Sequence, residues 1–256
     1  MGSPDNAFNV DSLAVKVYSA PAALYADAVA ETRNQLTQAI QDNGSAAAIL
    51  ATGNTQIDFL KLLAESGGVD WPKVTLFHMD EYLGLPGDHP ASFRRYMKDR
   101  VESLLNPKEF HYLQGDDDEP IRECERYESL LRAQSIDLCM LGIGENGHLA
   151  FNDPHVANFE DERAVKIVSL DETCRLQQVK QGHFADIHTM PQYALTITIP
   201  TLLSARKVLC MALDERKQEP VKRLLQGDIS PECPATALRN CDRATLLLDS
   251  AAAAGI

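Results

Sequence analysis

The chain has 256 residues, with 24 Lys and Arg against 37 Asp and Glu, so the net charge is −13 with neutral histidines. Hydrophobic residues make up 45% of the sequence, which excludes intrinsic disorder and is sufficient for a substantial core. The acidic balance argues against nucleic acid and against an anionic membrane as partners, because both repel a surface of the same sign. A small anion stays compatible with it, since a local cluster of cations and backbone N–H groups can bind phosphate on an acidic protein.

The amino terminus and the cysteines indicate the compartment. Residues 1–12 lack the basic and apolar regions of a signal peptide, and we expect them to form a flexible N-terminal extension. No apolar run reaches the ~20 residues of a membrane span. The six cysteines include no C-x-x-C pair, which predicts buried, reduced thiols in a cytoplasmic protein and no zinc site.

Short apolar runs alternate with longer amphipathic ones along the chain. The predicted strands are Leu13–Tyr18, Ala46–Thr52, Val74–His78, Ile136–Ile143, Ala194–Ile199, Lys207–Leu213 and Ala244–Asp249. The predicted helices are Ala20–Asn43, 93–105 and 121–131. This alternation predicts an α/β fold with a mostly parallel central sheet flanked by helices. Because no linker rich in Ser, Gly or Pro interrupts it, we expect residues 1–256 to form a single domain.

Ligands of open α/β sheets bind beyond the carboxyl ends of the strands, so the segments after the strands are the candidate sites. After the second predicted strand, the chain continues as Thr52-Gly53-Asn54-Thr55 into a helical pattern. Such a turn can present several backbone N–H groups and a helix N-terminus to an anion. The segment lacks the Gly-Lys-Ser/Thr ending of a Walker A loop, and a plain turn with Thr55 as helix cap explains it as well.

Asp80 and Glu81 follow the third predicted strand after one residue, Met79. An acid at the end of an apolar strand is unfavourable unless it is solvated or used, and it could serve as a general base. A turn or cap role remains the alternative for this pair.

A glycine-rich segment follows the strand that ends at Ile143. Gly142, Gly144 and Gly147 allow a tight bend, and His148 comes directly after them, with Asn146 and Asp153 nearby. A histidine held by a carboxylate or amide is typical of a proton shuttle. The chain contains no G-x-S-x-G elbow, no H-E-x-x-H and no EF-hand loop, so a covalent or metal mechanism has no support in the sequence.

Taken together, these segments resemble the glucosamine-6-phosphate deaminase/isomerase family. The similar blocks are Ala51–Thr55, Phe77–Leu85, His89–Phe93, Leu141–Asn152 and Met190–Thr196. They occur in the family's order and spacing, and the similarity runs from about Val15 to Asp249. The resemblance implies a modified Rossmann-like fold and conversion of D-glucosamine 6-phosphate and water to D-fructose 6-phosphate and ammonia, without a cofactor.

The resemblance also implies roles for individual residues. Asp80 matches the base that moves a proton between C2 and C1, and His148 matches the histidine that assists ring opening. Asp153 stands where the family usually has glutamate, which orients that histidine, and Asn146 stands where members have aspartate or asparagine. The implied phosphate ligands are Thr52, Gly53, Asn54, Thr55, Lys217 and, in a looser alignment, Lys180. The implied supports of the pocket are Glu81, Gly144 and Gly147.

Three departures from the family pattern are visible. Asn54 and Gln56 replace the commoner Gly and Pro of the phosphate loop, and Asp153 is one methylene shorter than glutamate, which puts its direct contact with His148 in question. Residues 155–164 lack the Ser and Arg of the effector site found in allosteric members, and only Lys166 has a match. We therefore expect hyperbolic kinetics without activation by N-acetylglucosamine 6-phosphate.

Other functions are compatible with parts of the pattern. A galactosamine-6-phosphate deaminase differs only in the substrate epimer. A 6-phosphogluconolactonase shares the His loop but tends to continue it as Ser-Leu-Phe-Pro, where this chain has Phe-Asn-Asp-Pro at 151–154. A non-catalytic sugar-phosphate sensor would normally carry a DNA-binding domain, for which this chain has no room. Apart from the sugar phosphate, the partner that the sequence leaves open is a second copy of the chain in a homo-oligomer.

Overall fold

The continuous apolar runs of the sequence form the central strands of one large sheet. The computed structural model describes residues 2–180, 182 and 184–256, without the side chains of Asn54, Thr173 and Gln177. The strands are β1 Asn6–Val10, β2 Leu13–Tyr18, β3 Ala46–Leu50, β4 Val74–His78, β5 Asp80–Tyr82, β6 Glu109–His111, β7 Leu138–Gly142, β8 Val165–Ser169, β9 Tyr193–Ile197, β10 Val208–Ala212 and β11 Ala244–Asp249.

Helices connect most of the strands. The α-helices are α1 Pro21–Asn43, α2 Asn54–Ser66, α3 Phe93–Met97, α4 Ser103–Leu105, α5 Pro120–Arg132, α6 Glu172–Lys180, α7 Ile199–Leu203 and α8 Gln218–Gln226. A π-helical turn, Lys98–Glu102, joins α3 to α4, and 3₁₀ turns cover Trp71–Lys73, Glu215–Lys217 and Pro234–Asn240. Within the described residues, no helix is long and apolar enough to cross a membrane.

The large sheet has the order β1-β2-β11-β10-β7-β3-β4-β6, and its pairs are parallel except for β1 with β2. Alternate residues of β3 enter different core clusters, Ala47 and Ile49 one of them, and Ala48 and Leu50 the other. Burial of both faces by connecting helices is typical of parallel sheets. The predicted α/β fold with a mostly parallel central sheet is confirmed.

A second sheet, antiparallel and three-stranded, has the order β5-β9-β8. The predicted strand at Ala194–Ile199 therefore exists, as β9, but outside the large sheet. β5 begins only two residues after β4, with Met79 between them. This break turns the chain away from the large sheet directly before Asp80.

The amino terminus differs from the expected flexible extension. Asn6–Val10 forms β1 and pairs with β2 from Asn6 opposite Val17 to Val10 opposite Leu13. The hairpin turns at Asp11, whose φ of 51° an aspartate tolerates better than most residues. Phe8 and Val10 also pack against the core, which favours the strand.

The six cysteines are all buried and free, as the sequence predicts for reduced thiols. Four of them, Cys124, Cys139, Cys210 and Cys241, belong to one core cluster, where a thiol behaves as a small apolar side chain. Cys233 is buried beside Gly147. The sixth, Cys174, lies in the candidate site.

Candidate active site

A cavity of about 370 Å³ opens at the carboxyl ends of the parallel strands. Its wall is formed by the segments that follow β3, β4, β7 and β10, and by parts of α3 and α6. Thr52, Asp80 and His148 all line it, and so does Lys217. The fold therefore brings the three candidate loops of the sequence to one place, as expected at this edge of an open α/β sheet.

Asp80 lies at the floor of the cavity, at the start of β5. Its side chain is buried, and its Oδ1 atom has no hydrogen-bond partner within the described residues. Burial, and next the neighbouring charge of Glu81, raise the pKa of Asp80 well above its usual range. A carboxylate with so little solvation is a strong proton acceptor once it is ionised.

Glu81 does not line the cavity but holds its wall in place. It is 1% exposed and accepts hydrogen bonds from Ser92 Oγ at 2.7 Å and from the backbone N–H groups of Arg94 at 2.8 Å and Phe93 at 3.2 Å. These donors begin α3, so Glu81 anchors the start of this helix, part of which faces the cavity.

His148 and Asp153 are in direct contact. His148 Nδ1 lies 2.8 Å from Asp153 Oδ1, and the amide of Asn146 donates to the same oxygen at 2.8 Å. Although the burial of Asp153 opposes ionisation, the hydrogen bonds from His148 and Asn146 hold its pKa well below the usual range. An ionised Asp153 places the imidazole proton on Nδ1 and leaves Nε2 as an acceptor.

Two glycines allow this arrangement. A Cβ on Gly144 would lie 2.3 Å from His148 Nε2, so the imidazole rests on the backbone there. Gly147 has a φ of 89°, and a Cβ on it would meet Cys233 Sγ at 2.6 Å. Both positions thus require glycine for close approach, and Gly147 also requires it for its backbone conformation.

Cys174 of α6 is a site residue with no local signal in the sequence. Its Sγ lies 3.3 Å from Asp153 Oδ1 and 3.6 Å from His148 Nδ1, and it lines the cavity. Burial and the charge of Asp153 raise the pKa of the thiol, so it stays protonated and donates to the carboxylate. Among the described residues, His148, Asp153 and Cys174 are the group whose ligand atoms lie close enough, within 4.8 Å, to hold a metal ion.

The segment after β3 forms the second wall. Thr52, Gly53 and Thr55 line the cavity, and Gly53 has a φ of 112° at the start of α2. The helix N-terminus points its free N–H groups and its positive dipole end toward this region. The side chain of Asn54 lies outside the described residues.

Lys217 supplies a cation to the same cavity. Burial lowers its pKa, partly offset by the charge of Glu145, and its ammonium makes no hydrogen bond in the described part of the chain. Lys180, in contrast, is exposed at the end of α6 and does not line the cavity. The sequence pattern could not have shown whether Lys180 faces the cavity, because α6 is short and carries polar residues on both of its faces.

The family is shown by comparison with known proteins. Residues 19–247 match the family described as glucosamine-6-phosphate isomerases/6-phosphogluconolactonase. The chain belongs to this family. Proteins named glucosamine-6-phosphate deaminase from Exiguobacterium sp. (strain AT1b) and Shewanella loihica are 36% and 35% identical to it, over 80% of this chain and 78% and 76% of theirs.

Solved structures of family members have the same fold. The structure of a monomeric glucosamine-6-phosphate deaminase has a TM-score of 0.86 and 31% identity, and the match covers 94% of this chain and 99% of that one. A 6-phosphogluconolactonase from Shewanella baltica has a TM-score of 0.77 at 18% identity, covering 94% of this chain and all of the other. The second likeness concerns the fold alone.

Two departures from the family pattern have a structural explanation. Asp153 reaches His148 despite its shorter side chain, and its second oxygen accepts from the backbone N–H of Asp171 at 3.2 Å. Gln56, where the family commonly has proline, is 1% exposed and donates to the Leu141 carbonyl at 3.4 Å. It therefore ties the loop after β3 to the neighbouring strand β7.

Proposed function

We propose that the protein converts D-glucosamine 6-phosphate and water to D-fructose 6-phosphate and ammonia. The observation that carries the proposal is that Asp80 and His148 line one cavity together with Lys217 and the loop after β3, which has the form of an anion-binding loop. The identity to proteins named glucosamine-6-phosphate deaminase supports the same reaction.

The first step opens the sugar ring. The Nε2 atom of His148 takes the proton of the O1 hydroxyl and passes it to the ring oxygen, so that the C1–O5 bond breaks and an aldehyde forms. Asp153 stabilises the imidazolium that exists between the two transfers, because its charge lies 2.8 Å from Nδ1.

The second step moves a proton from C2 to C1. Asp80 takes the C2 proton, the C1–C2 double bond forms, and O1 takes a proton from the ammonium group on C2 of the substrate, which gives a neutral enolamine. Asp80 then returns the proton to C1, so that the C2–N bond becomes an iminium. A weakly acidic C–H proton requires a poorly solvated base, which is the condition in which Asp80 lies.

The third step releases ammonia. Water adds to C2 of the iminium and one of its protons passes to the nitrogen. The C–N bond then breaks, ammonia leaves and takes the remaining hydroxyl proton as ammonium, and the ketone of fructose 6-phosphate remains. Every step is a transfer of protons or water, so the side chains of the cavity are sufficient and we propose no cofactor. The free, buried thiols agree with a reducing, cytoplasmic location.

An ammonia-release assay tests the proposal. Glucosamine, galactosamine and N-acetylglucosamine 6-phosphates serve as substrates, with hydrolysis of 6-phosphogluconolactone as the control reaction. We expect ammonia and fructose 6-phosphate in equal amounts from glucosamine 6-phosphate, and no lactone hydrolysis. Faster ammonia release from galactosamine 6-phosphate would identify that epimer as the substrate. Lactone hydrolysis without ammonia release would refute the proposal.

Lys217→Ala should chiefly raise the KM for glucosamine 6-phosphate, by about 10- to 100-fold, because the lysine contacts the phosphate and not the reacting carbons. Lys180→Ala is the matched control, since this lysine is exposed outside the cavity. Steady-state kinetics of both variants decide the point. An unchanged KM in Lys217→Ala would remove the residue from the phosphate site.

The rate should depend hyperbolically on substrate, with no activation by N-acetylglucosamine 6-phosphate. Lys166, the one cation that matches the effector site of allosteric relatives, is already engaged, since its Nζ donates to Asp161 at 2.8 Å and to the Val156 carbonyl at 2.7 Å. Initial rates with and without the effector check this. A sigmoidal curve that the effector makes hyperbolic would contradict it.

A further inference from the structure

An unusual turn of helix contributes to the wall of the cavity. Between α3 and α4 the chain forms the π-helical turn Lys98–Glu102, and Arg100 of this turn lines the cavity together with Tyr96 of α3. Single π turns are rare and occur often at functional sites. The widened turn is the local feature that distinguishes Arg100 from the other arginines of this helical segment.

Tyr96 connects this segment to the loop after β3. Its hydroxyl donates to the Gly53 carbonyl at 3.3 Å. Burial raises the pKa of Tyr96 to about 12, against the opposing charge of Arg100, so the hydroxyl keeps its proton and remains a donor. The tyrosine ring is thus fixed beside the loop at one end and faces Arg100 with its surface.

Arg100 rests on that ring with its donors uncommitted. Its guanidinium carbon lies 4.9 Å from the centre of the Tyr96 ring, a distance typical of a cation–π contact. Within the described residues, Arg100 forms no salt bridge, whereas Arg95 on the same segment pairs with Asp99 at 3.4 Å and donates to the Asp88 carbonyl at 2.7 Å. Arg100 is exposed and lines the cavity, so its donors are free to bind a ligand there.

The charge of a phosphate dianion also calls for a second cation. Arg216 and Lys217 both approach the cavity from the segment after β10, but Arg216 already pairs with Asp214 at 2.7 Å, and Lys180 does not line the cavity. A guanidinium can bind two phosphate oxygens at once, which an ammonium cannot.

We propose that Arg100, positioned by Tyr96, binds the phosphate of the substrate from the side opposite Lys217. The identity of the substrate rests on the proposed function. The binding of an anion by Arg100 rests on the geometry alone. Nothing in the sequence assigns this role to Arg100. In this proposal Arg100 replaces Lys180, which the sequence analysis gave as a phosphate ligand.

The test compares Arg100→Ala and Arg100→Lys with the matched control Arg95→Ala. We expect Arg100→Ala to raise the KM for glucosamine 6-phosphate by about 10- to 100-fold with kcat within a few-fold, Arg100→Lys to recover part of this, and Arg95→Ala to behave as wild type. The affinity for inorganic phosphate, measured by calorimetry, should fall in Arg100→Ala in the same way. Turnover of unphosphorylated glucosamine at high concentration should be unaffected.

Two outcomes would overturn the inference. The first is a KM and a phosphate affinity in Arg100→Ala equal to those of Arg95→Ala. The second is an equal loss of activity of Arg100→Ala toward unphosphorylated glucosamine, which would mean that Arg100 supports the cavity wall and does not bind phosphate. Failure of the proposed function is a separate result. If the wild-type protein releases no ammonia, the phosphate calorimetry still decides whether Arg100 binds an anion.

Discussion

Asp80→Asn should lower kcat for glucosamine 6-phosphate by about 10²- to 10⁴-fold and change KM by only a few-fold. The asparagine keeps the shape of the side chain but cannot accept the C2 proton, so the loss falls on the transition state and spares substrate binding. Steady-state kinetics, with binding of fructose 6-phosphate measured separately, check the prediction. A variant with near-normal kcat would show that Asp80 is not the base.

The same variant should be more stable than the wild type at neutral pH, which serves as the control for folding. Burial raises the pKa of Asp80 in the folded state, so ionisation favours the unfolded chain at any pH above the ordinary carboxyl value of about 3.9. The gain should shrink as the pH falls toward that value, where both states bind the proton. Thermal unfolding at pH 4 and pH 7 measures it, with about 2–4 °C expected per kcal/mol.

Asp153→Asn should lower kcat by about 10²- to 10⁴-fold through His148. The neutral amide no longer stabilises an imidazolium, and its NH₂ group faces donors that the carboxylate now satisfies, among them the Asp171 N–H. The folded state should also lose stability at neutral pH. In the wild type this stability is present above the ordinary carboxyl pKa and is lost as the pH falls through the lowered pKa of Asp153.

Cys174→Ala is the matched control for the Asp153 variant. It removes one donor to Asp153 Oδ1 but leaves the charge and the contact with His148. A lost hydrogen bond of about 1 kcal/mol predicts less than about a tenfold fall in kcat. If Asp153→Asn falls no further than Cys174→Ala, the carboxylate does not act on the imidazole, and the mechanism of ring opening is wrong.

The strands that the sequence predicts are those whose apolar runs are continuous. Ala46–Leu50 and Val208–Ala212 are buried on both faces, and short apolar runs between turns are typical of strands because most helices are longer. β1 has a half-exposed, alternating pattern with two asparagines, a weak signal for a strand. The place of β9 in a second sheet was not predictable, because periodicity identifies a strand but not its neighbours.

The candidate site could be predicted where its residues directly follow strands. Asp80 and His148 lie in such segments, since parallel strands end at one edge of the sheet. Cys174 and Arg100 come from helices that pack over this edge, and their side chains look like ordinary helix residues in the sequence. Their part in the site depends on tertiary packing, so no local motif could have identified them.

The central claim is that Asp80 moves a proton between C2 and C1 of glucosamine 6-phosphate. Deuterium NMR of substrate labelled at C2, recorded alongside ammonia release, tests it most directly. We predict that the label leaves C2 at the rate at which ammonia forms, toward C1 of fructose 6-phosphate or toward water, and that neither happens with Asp80→Asn. A label that stays at C2 in the presence of the wild-type protein, or one that leaves at the wild-type rate in the Asp80→Asn variant, would contradict the claim.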